Sequence, residues 1–173
     1  MKEIKTYDSA VNNFNAKLEF KSLPLESWDL FSSKFNTLCK GLEEINALKA
    51  ISRAQKWNGE VLMERDMLKD NLVVVVTDSE LKIVHATENI YGMNGYTPAE
   101  IIGKSPKIFQ GEATNRDTTS RIRRAIEDKK AFEETILNYR KDGSTYNCWI
   151  KGLPILNKKG KLVNFIAFEK EVA

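Results

Sequence analysis

His85 is the only histidine in the chain, and Cys39 and Cys148 are the only cysteines, so the supply of groups able to activate a nucleophile is short. A Ser-His or Cys-His scheme would have to run through His85. That residue sits in Ile83-Val84-His85-Ala86, a stretch that reads as a strand, where an imidazole is more often packed or at the surface than a ligand. Cys39 and Cys148 lie far apart and share no metal-ligand spacing, so in a reducing compartment they are expected to be free thiols. Glu133-Glu134 open a run of strand character and Asp142 sits in a turn, so these carboxylates read as solvated. There is no glycine-rich phosphate loop between a strand and a helix, no HExxH and no GxSxG. These residues predict no catalytic group and no metal site. The class of function they leave open is binding.

The elements that must position any binding site are organised around Asn138 to Glu169. Asp142-Gly143 is a strong hairpin signal, because glycine takes positive φ at no steric cost and aspartate tolerates it. Asn157-Lys158-Lys159-Gly160 is a second polar turn ending in glycine. The runs they separate, Phe132–Tyr139, Thr145–Leu156 and Leu162–Phe168, mix β-branched and aromatic residues with polar ones, as strands with one buried face do. Upstream, Asn71–Thr77 is a valine-rich buried strand and Leu81–Ala86 a second one, with Asp78-Ser79-Glu80 turning the chain between them.

Between these two groups of strands lie the helical candidates Thr87–Met93, Thr97–Ile102 and Asn115–Lys130. Thr97-Pro98-Ala99-Glu100 has a cap, a proline at the first helical position and a glutamate three residues on, and Gly103 fits the end. The predicted fold is therefore α+β, a five-stranded antiparallel sheet with helices gathered on one face.

Ahead of the sheet, Trp28, Phe31, Phe35, Leu38, Leu42 and Ile45 recur at spacings of three and four. The pattern spans too few heptads for a free coiled coil. Gly41 is an unfavourable residue inside this stripe; a second helical stretch is expected over Ile45–Gln55, with a break at Asn58-Gly59 before a further helical stretch over Glu60–Leu68. Residues 1–24 show no clean period, and Pro24 is a plausible break. The domain organisation expected is an α-helical extension over 1–70 and a globular domain over 71–173.

The longest apolar run, Leu72–Val76, is far too short to span a bilayer, so no membrane association is expected. Met1-Lys2-Glu3-Ile4-Lys5 lacks the apolar core of a secretion signal, which makes the cytoplasm the expected location. The formal net charge of +3 is carried by scattered helix-face and turn residues such as Arg121, Arg124, Lys158 and Lys161. Solvated surface explains that scatter better than a nucleic-acid patch does.

Asn94-Gly95-Tyr96-Thr97-Pro98-Ala99-Glu100-Ile101-Ile102-Gly103-Lys104 resembles the signature of PAS domains. Tyr139-Arg140-Lys141-Asp142-Gly143, and Pro154-Ile155 followed by Gly160-Lys161, resemble the strand-turn-strand end of the same family. The resemblance covers about 71–171 and implies a five-stranded antiparallel sheet with helices over one face, enclosing a small pocket. Fold alone does not set the ligand of such a domain.

Gly103 to Gly111 is similar to the cysteine loop of the flavin-binding LOV subgroup, but the cysteine position is Pro106 and the position before it is Ser105. Proline offers no nucleophile, which excludes the thiol adduct of that subgroup. Lys107 and Arg123 match its two phosphate-holding positions, Gln110 its loop glutamine, and Asn138 one asparagine at the ring edge. The second ring asparagine falls on Cys148 and the ring-facing glutamine on Glu169, where a carboxylate needs a proton or a partner. The resemblance thus keeps part of a phosphate site and loses most ring contacts, so flavin is possible but not the expected cofactor. Haem would need an axial ligand from His85 and is not expected either.

The pocket is expected to be lined by Val74, Ile90, Ile108, Phe109, Ile122 and Phe165. With no kinase, cyclase or DNA-binding segment after Ala173, the expected role is a stand-alone, non-enzymatic PAS sensory module working through ligand sensing and protein–protein interaction. A cysteine-less LOV-like flavoprotein and a ligand-free adaptor filled by its own Phe109, Trp149, Phe165 and Phe168 are the alternatives. A homodimer through the N-terminal helices and the sheet is expected, with a further signalling partner of unknown identity.

Overall fold

A computed structural model describes residues 26–58 and 72–173 of the chain; for residues 26–40 it describes the helix but, Cys39 apart, not the side chains. The expectations for residues 1–24 and for a helix over Glu60–Leu68 lie outside the described residues. Five antiparallel strands form one sheet: β1 (Val73–Asp78), β2 (Ile83–Ala86), β3 (Phe132–Tyr139), β4 (Thr145–Leu156) and β5 (Leu162–Val172). Their order across the sheet is β2-β1-β5-β4-β3, so the first and last strands in sequence lie side by side at its centre.

Both expected turns are present, and their side chains explain them. At the β3–β4 hairpin Arg140 and Ser144 are joined by a backbone bond of 2.8 Å, and Gly143 sits at φ 86°. Asp142 Oδ1 accepts from the backbone and the hydroxyl of Ser144. Asn157 Oδ1 does the same work at the β4–β5 turn, accepting from the backbone N–H groups of Lys159 and Lys161. These short polar side chains replace solvent at the backbone donors of a tight turn.

Short helices cover one face of the sheet: α2 (Ile90–Asn94), α3 (Pro98–Ile101), a 3-10 turn (Pro106–Phe109) and α4 (Arg116–Glu127). Thr97 and Glu100 form the anticipated capping box at α3. Asn115 caps α4, its Oδ1 accepting from the N–H groups of Asp117 and Thr118. Ile90, Met93, Ile101, Phe109 and Ile122 from this layer pack on Val73, Val75, Ile83, Ala86, Ile136, Tyr146 and Cys148 of the sheet.

The opposite face is covered from the N-terminal side. Helix α1 (Glu26–Gln55) is continuous through Gly41, and only its part from Lys40 on belongs to the compact unit that contains the sheet. That the helix does not break at Gly41 means the glycine's cost, about 1 kcal/mol, is outweighed by packing further along. The helix ends at Lys56, which takes a left-handed φ of 54°, and Trp57 N–H returns to the Ser52 carbonyl. Ile45, Leu48 and Trp57 are buried against Leu72, Val74, Val76, Ile155, Ile166 and Phe168. Trp57 also forms a β-bridge to Asn157, so the chain leaving α1 is pinned to the β4–β5 turn.

Val74 therefore does not line the helix-covered side, contrary to the expectation for it. Residues alternate across a strand, and Val73 and Val75 are the members of β1 that face inward. A run of four valines carries no alternation from which the phase can be read.

Candidate functional site

Five polar residues converge on the inner face. Asn138 on β3 pairs with Tyr146 on β4, and directly paired residues share a face, so both lie beside Ile136 and Cys148, the next inward pair. Glu169 on β5 pairs with Val73 and Ile150, which places it on the same side. Asn94 ends α2, with its side chain beside the Tyr146 hydroxyl. All five are buried: Asn94 is fully so, and Cys148, Glu169, Tyr146 and Asn138 are 1%, 4%, 4% and 6% exposed.

The electrostatics of this group are those of a dry interior. Burial is the main cause that raises the Glu169 carboxyl to about 7, opposed in part by its contact with the Cys148 thiol, whose Sγ is 3.8 Å from Oε2. The thiol is itself pushed up, first by burial and then by the Glu169 charge. Burial likewise pushes the Tyr146 hydroxyl up, with the neighbouring Cys148 and Glu169 adding to the effect. Tyr146 Oη and Asn94 Nδ2 make no well-formed hydrogen bond, although the Asn138 and Asn94 side chains lie close enough to the Tyr146 hydroxyl to offset part of that rise. Such orphans are rare inside proteins and call for a functional or structural reason.

The rim is held by the β3–β4 hairpin. Arg140 lies 4.5 Å from the centroid of the Tyr146 ring, reaches Glu171 Oε1 at 2.7 Å, and donates to the Met93 carbonyl of α2. Lys141 donates its backbone N–H to the Asn94 carbonyl and pairs with Glu100 of α3. That pair and the Thr97 cap hold the Glu100 carboxyl at about 2.

Of the residues matched to a flavin site, the structure brings only Asn138 into this group. Gln110 is half-buried at the end of the 3-10 turn, and Lys107 is exposed. Arg123 points to solvent, 80% exposed, and is bonded to Glu127 one helical turn on. Ile90, Ile108, Phe109 and Ile122 of the expected lining belong to the inner cluster, and Phe165 lies on the same side, paired with Thr77. Arg140, Asn94 and Tyr146 were not foreseen as members. Counting outward from Asp142-Gly143 pairs Asn138 with Tyr146, so that part was within reach of the sequence.

A half-open cleft of about 360 Å³ lies on the other face of the sheet, bordered by Ile51, Ala54, Asp78, Val84 and Leu162. Its buried polar residue, Asn164, is already committed to Trp57 and the Thr77 carbonyl, and the inner face is the better candidate site. His85 is also on that outer side, with Nε2 3.3 Å from Glu44 of α1. Among the described residues no cluster of His, Cys, Asp and Glu could hold a metal ion, and no helix is long and apolar enough to cross a membrane.

A five-stranded antiparallel sheet in this order, with short helices over one face and a buried polar group beneath them, defines an α+β domain with a candidate binding site under its helices. The chain belongs to the PAS domain family, whose profile matches residues 70–172. It is similar to Phototropin-2 of Oryza sativa subsp. japonica, 33% identical over 102 residues, which is 57% of this chain and 11% of that protein. Protein TWIN LOV 1 of Arabidopsis thaliana is 37% identical over 92 residues, 53% of this chain and 23% of the relative. The Blue-light photoreceptor of Listeria innocua is 30% identical over 102 residues, 57% of this chain and 40% of its own length. The chain thus spans well under half of each of these relatives. The dark structure of the Aureochrome1 LOV photoreceptor superposes with a TM-score of 0.61 at 25% identity, covering 67% of this chain and 86% of that one. The fold and the sensory class are therefore those expected from the sequence.

Proposed function

We propose that this chain is a PAS signalling module whose output is a binding event and not a catalysed reaction. A change at the inner-face group passes through the sheet to α1, and from α1 to a partner. One observation carries this reading: β5 serves both faces. Ala167 and Glu169 face the inner cluster, while Ile166 and Phe168 hold Ile45, Leu48 and Trp57. In a close-packed interior a strand does not shift on one side without disturbing the other. The first partner is a second copy of the chain, joined through the N-terminal helices and the sheet. The stripe Trp28, Phe31, Phe35, Leu38 and Leu42 offers about 1.5–3 kcal/mol for each large side chain it buries. A closed two-fold contact is the commonest way to bury such a stripe.

Hydrogen exchange of the full chain tests the relay. Glu169→Gln is expected to change protection over residues 45–57, and unchanged protection there overturns it. Sedimentation equilibrium tests the partner. The full chain is expected to be a dimer and a Phe31→Glu, Phe35→Glu double variant a monomer; a monomeric full chain removes the homodimer.

A second reading, a cysteine-less flavin-binding module, is supported by the buried inward position of Asn138 and by the relative that is named a blue-light photoreceptor. The visible absorption spectrum of the purified protein decides it: flavin bands support this reading, and a blank spectrum ends it.

A further inference from the structure

Two stretches far apart in sequence are basic and free of acidic residues. Residues 45–58 contain Lys49, Arg53 and Lys56 and no carboxylate; residues 145–168 contain Lys151, Lys158, Lys159 and Lys161 and no carboxylate. The fold brings parts of the two together. Trp57 bridges to Asn157, the Lys158 N–H donates to the Lys56 carbonyl at 3.1 Å, and the Asn58 N–H donates to the Leu156 carbonyl at 2.8 Å. Asn157 Oδ1 holds the Lys159 and Lys161 amides in the same turn. Arg53, Lys56, Lys158, Lys159 and Lys161 therefore gather where α1 ends, and all five are exposed. Among the described residues no carboxylate pairs with any of them.

This basic end borders the outer-face cleft. Lys161 belongs to both, and Ile51, Ala54, Val84, Leu162 and Val163 give the cleft its apolar lining. Val84 is 39% exposed there because the β1–β2 register shifts between Val76 and Thr77 and leaves it without a partner on β1. Asp78, the one carboxylate in the lining, is engaged within its own turn: Oδ1 accepts from the Glu80 and Lys82 backbone N–H groups at 2.8 and 2.9 Å.

We propose that this end of the molecule is a docking surface for an acidic amphipathic segment of a partner protein, which sets an apolar side chain in the cleft and its carboxylates against Arg53, Lys56, Lys158, Lys159 and Lys161.

Two features choose this occupant. Like charges gathered on one helix end and one turn repel each other, and a partner's carboxylates relieve that repulsion and speed its approach. The cleft beside them calls for an apolar side chain, which a phosphate backbone does not carry, so a nucleic acid would answer the charge and leave the cleft wet. A segment with one apolar and one acidic face meets both demands. Ile51 also packs against the cluster that holds α1 on the sheet, so an occupant of the cleft touches the element through which the signal is proposed to leave. The inference rests on the signalling reading only in taking the output to be a binding event. It involves neither the relay from Glu169 nor the homodimer, so each can fail alone.

Fluorescence anisotropy of the full chain tests the surface. The probe is a labelled synthetic peptide with leucines along one helical face and glutamates along the other. Its controls are the same peptide with serine for leucine, the same peptide with lysine for glutamate, and a DNA duplex. Saturable binding of the probe is expected, weakening as salt is added. Lys158→Glu with Lys161→Glu should weaken it by at least about ten-fold, and Val84→Gln should weaken it without changing its salt dependence. Should the charge reversal disturb the turn, Lys158→Ala with Lys159→Ala reads the same loss without adding charge. No binding of the probe, equal binding of the serine peptide, or binding unmoved by the lysine and Val84 variants overturns the proposal. Tighter binding of the duplex overturns it in favour of a nucleic-acid surface. Self-association lost on charge reversal, with the probe unbound by the native chain, overturns it in favour of a second copy.

Discussion

Trp57 donates its indole N–H to Asn164 Oδ1 at 2.8 Å, joining the end of α1 to β5 across more than a hundred residues of sequence. Both side chains are buried, and Asn164 Nδ2 in turn donates to the Thr77 carbonyl of β1 at 3.0 Å. The bond fixes where the chain leaves the helix, because an indole can make only one such donation. Trp57→Phe keeps most of the apolar contact and leaves Asn164 Oδ1 unpaired. The expected cost is about 1–3 kcal/mol, the desolvation penalty of a buried acceptor without a donor. Urea denaturation measures it, and an unchanged midpoint would show that water or a rearranged side chain satisfies Asn164.

The β3–β4 hairpin makes a backbone prediction. Gly143 is at φ 86°, and nothing lies within 4 Å of where a Cβ would sit. A substitution there meets no steric obstacle, so any loss reports the dihedral alone. Gly143→Val is expected to cost about 1–3 kcal/mol and Gly143→Asn clearly less, since asparagine tolerates the left-handed region. Equal melting temperatures for the two variants would contradict this account.

Thiol chemistry separates the two cysteines. Cys148 is 1% exposed and its thiol is pushed up by burial and by Glu169, while Cys39 is half-buried on α1. A disulfide reagent at neutral pH is expected to modify Cys39 in the native protein and Cys148 only after unfolding. With Pro106 at the loop position, illumination is expected to leave both thiols unmodified. Intact mass after blue light, with and without added flavin, checks this, and a cysteinyl adduct at either residue would refute it.

What the sequence made legible was local and periodic. Asp142-Gly143, Asn157 to Gly160 and the capping box at Thr97 specify their turns with neighbouring atoms, and these features lie where expected. What stayed hidden depends on phase and register between distant segments. Val73 to Val76 looks the same from either face, so its orientation is set by α1 on one side and α2 on the other. The meeting of Glu169 with Cys148 requires the β4–β5 register, and no spacing within either strand announces it. Arg123 occupies a matching position, and its side chain turns along the helix to Glu127.

The pH dependence of stability follows from opposite shifts. Glu169 folds with its carboxyl at about 7 against the usual 4.5, so below 4.5 it is protonated in both states and costs nothing. Between those values the unfolded chain releases the proton and the folded chain keeps it, so stability falls as pH rises. By pH 7 and above the loss from this one group reaches roughly 3 kcal/mol, an order-of-magnitude figure from about 1.4 kcal/mol per pH unit. Glu100, Glu134 and Asp142 are lowered by their partners, so their contribution is present above the ordinary carboxylate range and is lost as pH falls below that range and through their lowered folded values. Glu169→Gln is expected to remove the neutral limb and leave the acid limb in place. Denaturation midpoints between about pH 2 and 8 test this. A variant that gains nothing at pH 8 relative to pH 4 would show that Glu169 is solvated or paired.

The largest effect is expected where α1 meets the sheet. Leu48 is fully buried, and Ile45 and Trp57 are each 4% exposed, all against Val74, Val76, Ile166 and Phe168. Leu48→Ala leaves a cavity in a close-packed cluster at an expected cost of about 2–5 kcal/mol, enough to threaten a marginally stable domain. Two polar ties support the same contact: Glu44 accepts from the Glu88 backbone N–H at 2.7 Å and lies 3.3 Å from His85 Nε2. Glu44→Ala removes both while leaving the apolar contact intact, so it should destabilise less than Leu48→Ala. A fragment of residues 69–173 loses every one of these partners. The uncovered strip of valine, isoleucine and phenylalanine is expected to drive self-association. Sedimentation of that fragment beside the full chain makes the comparison. A fragment that stays monomeric, with an unchanged melting temperature, would mean that the helix rests on the sheet without stabilising it, and the proposed route from Glu169 through β5 to α1 would lose its mechanical basis.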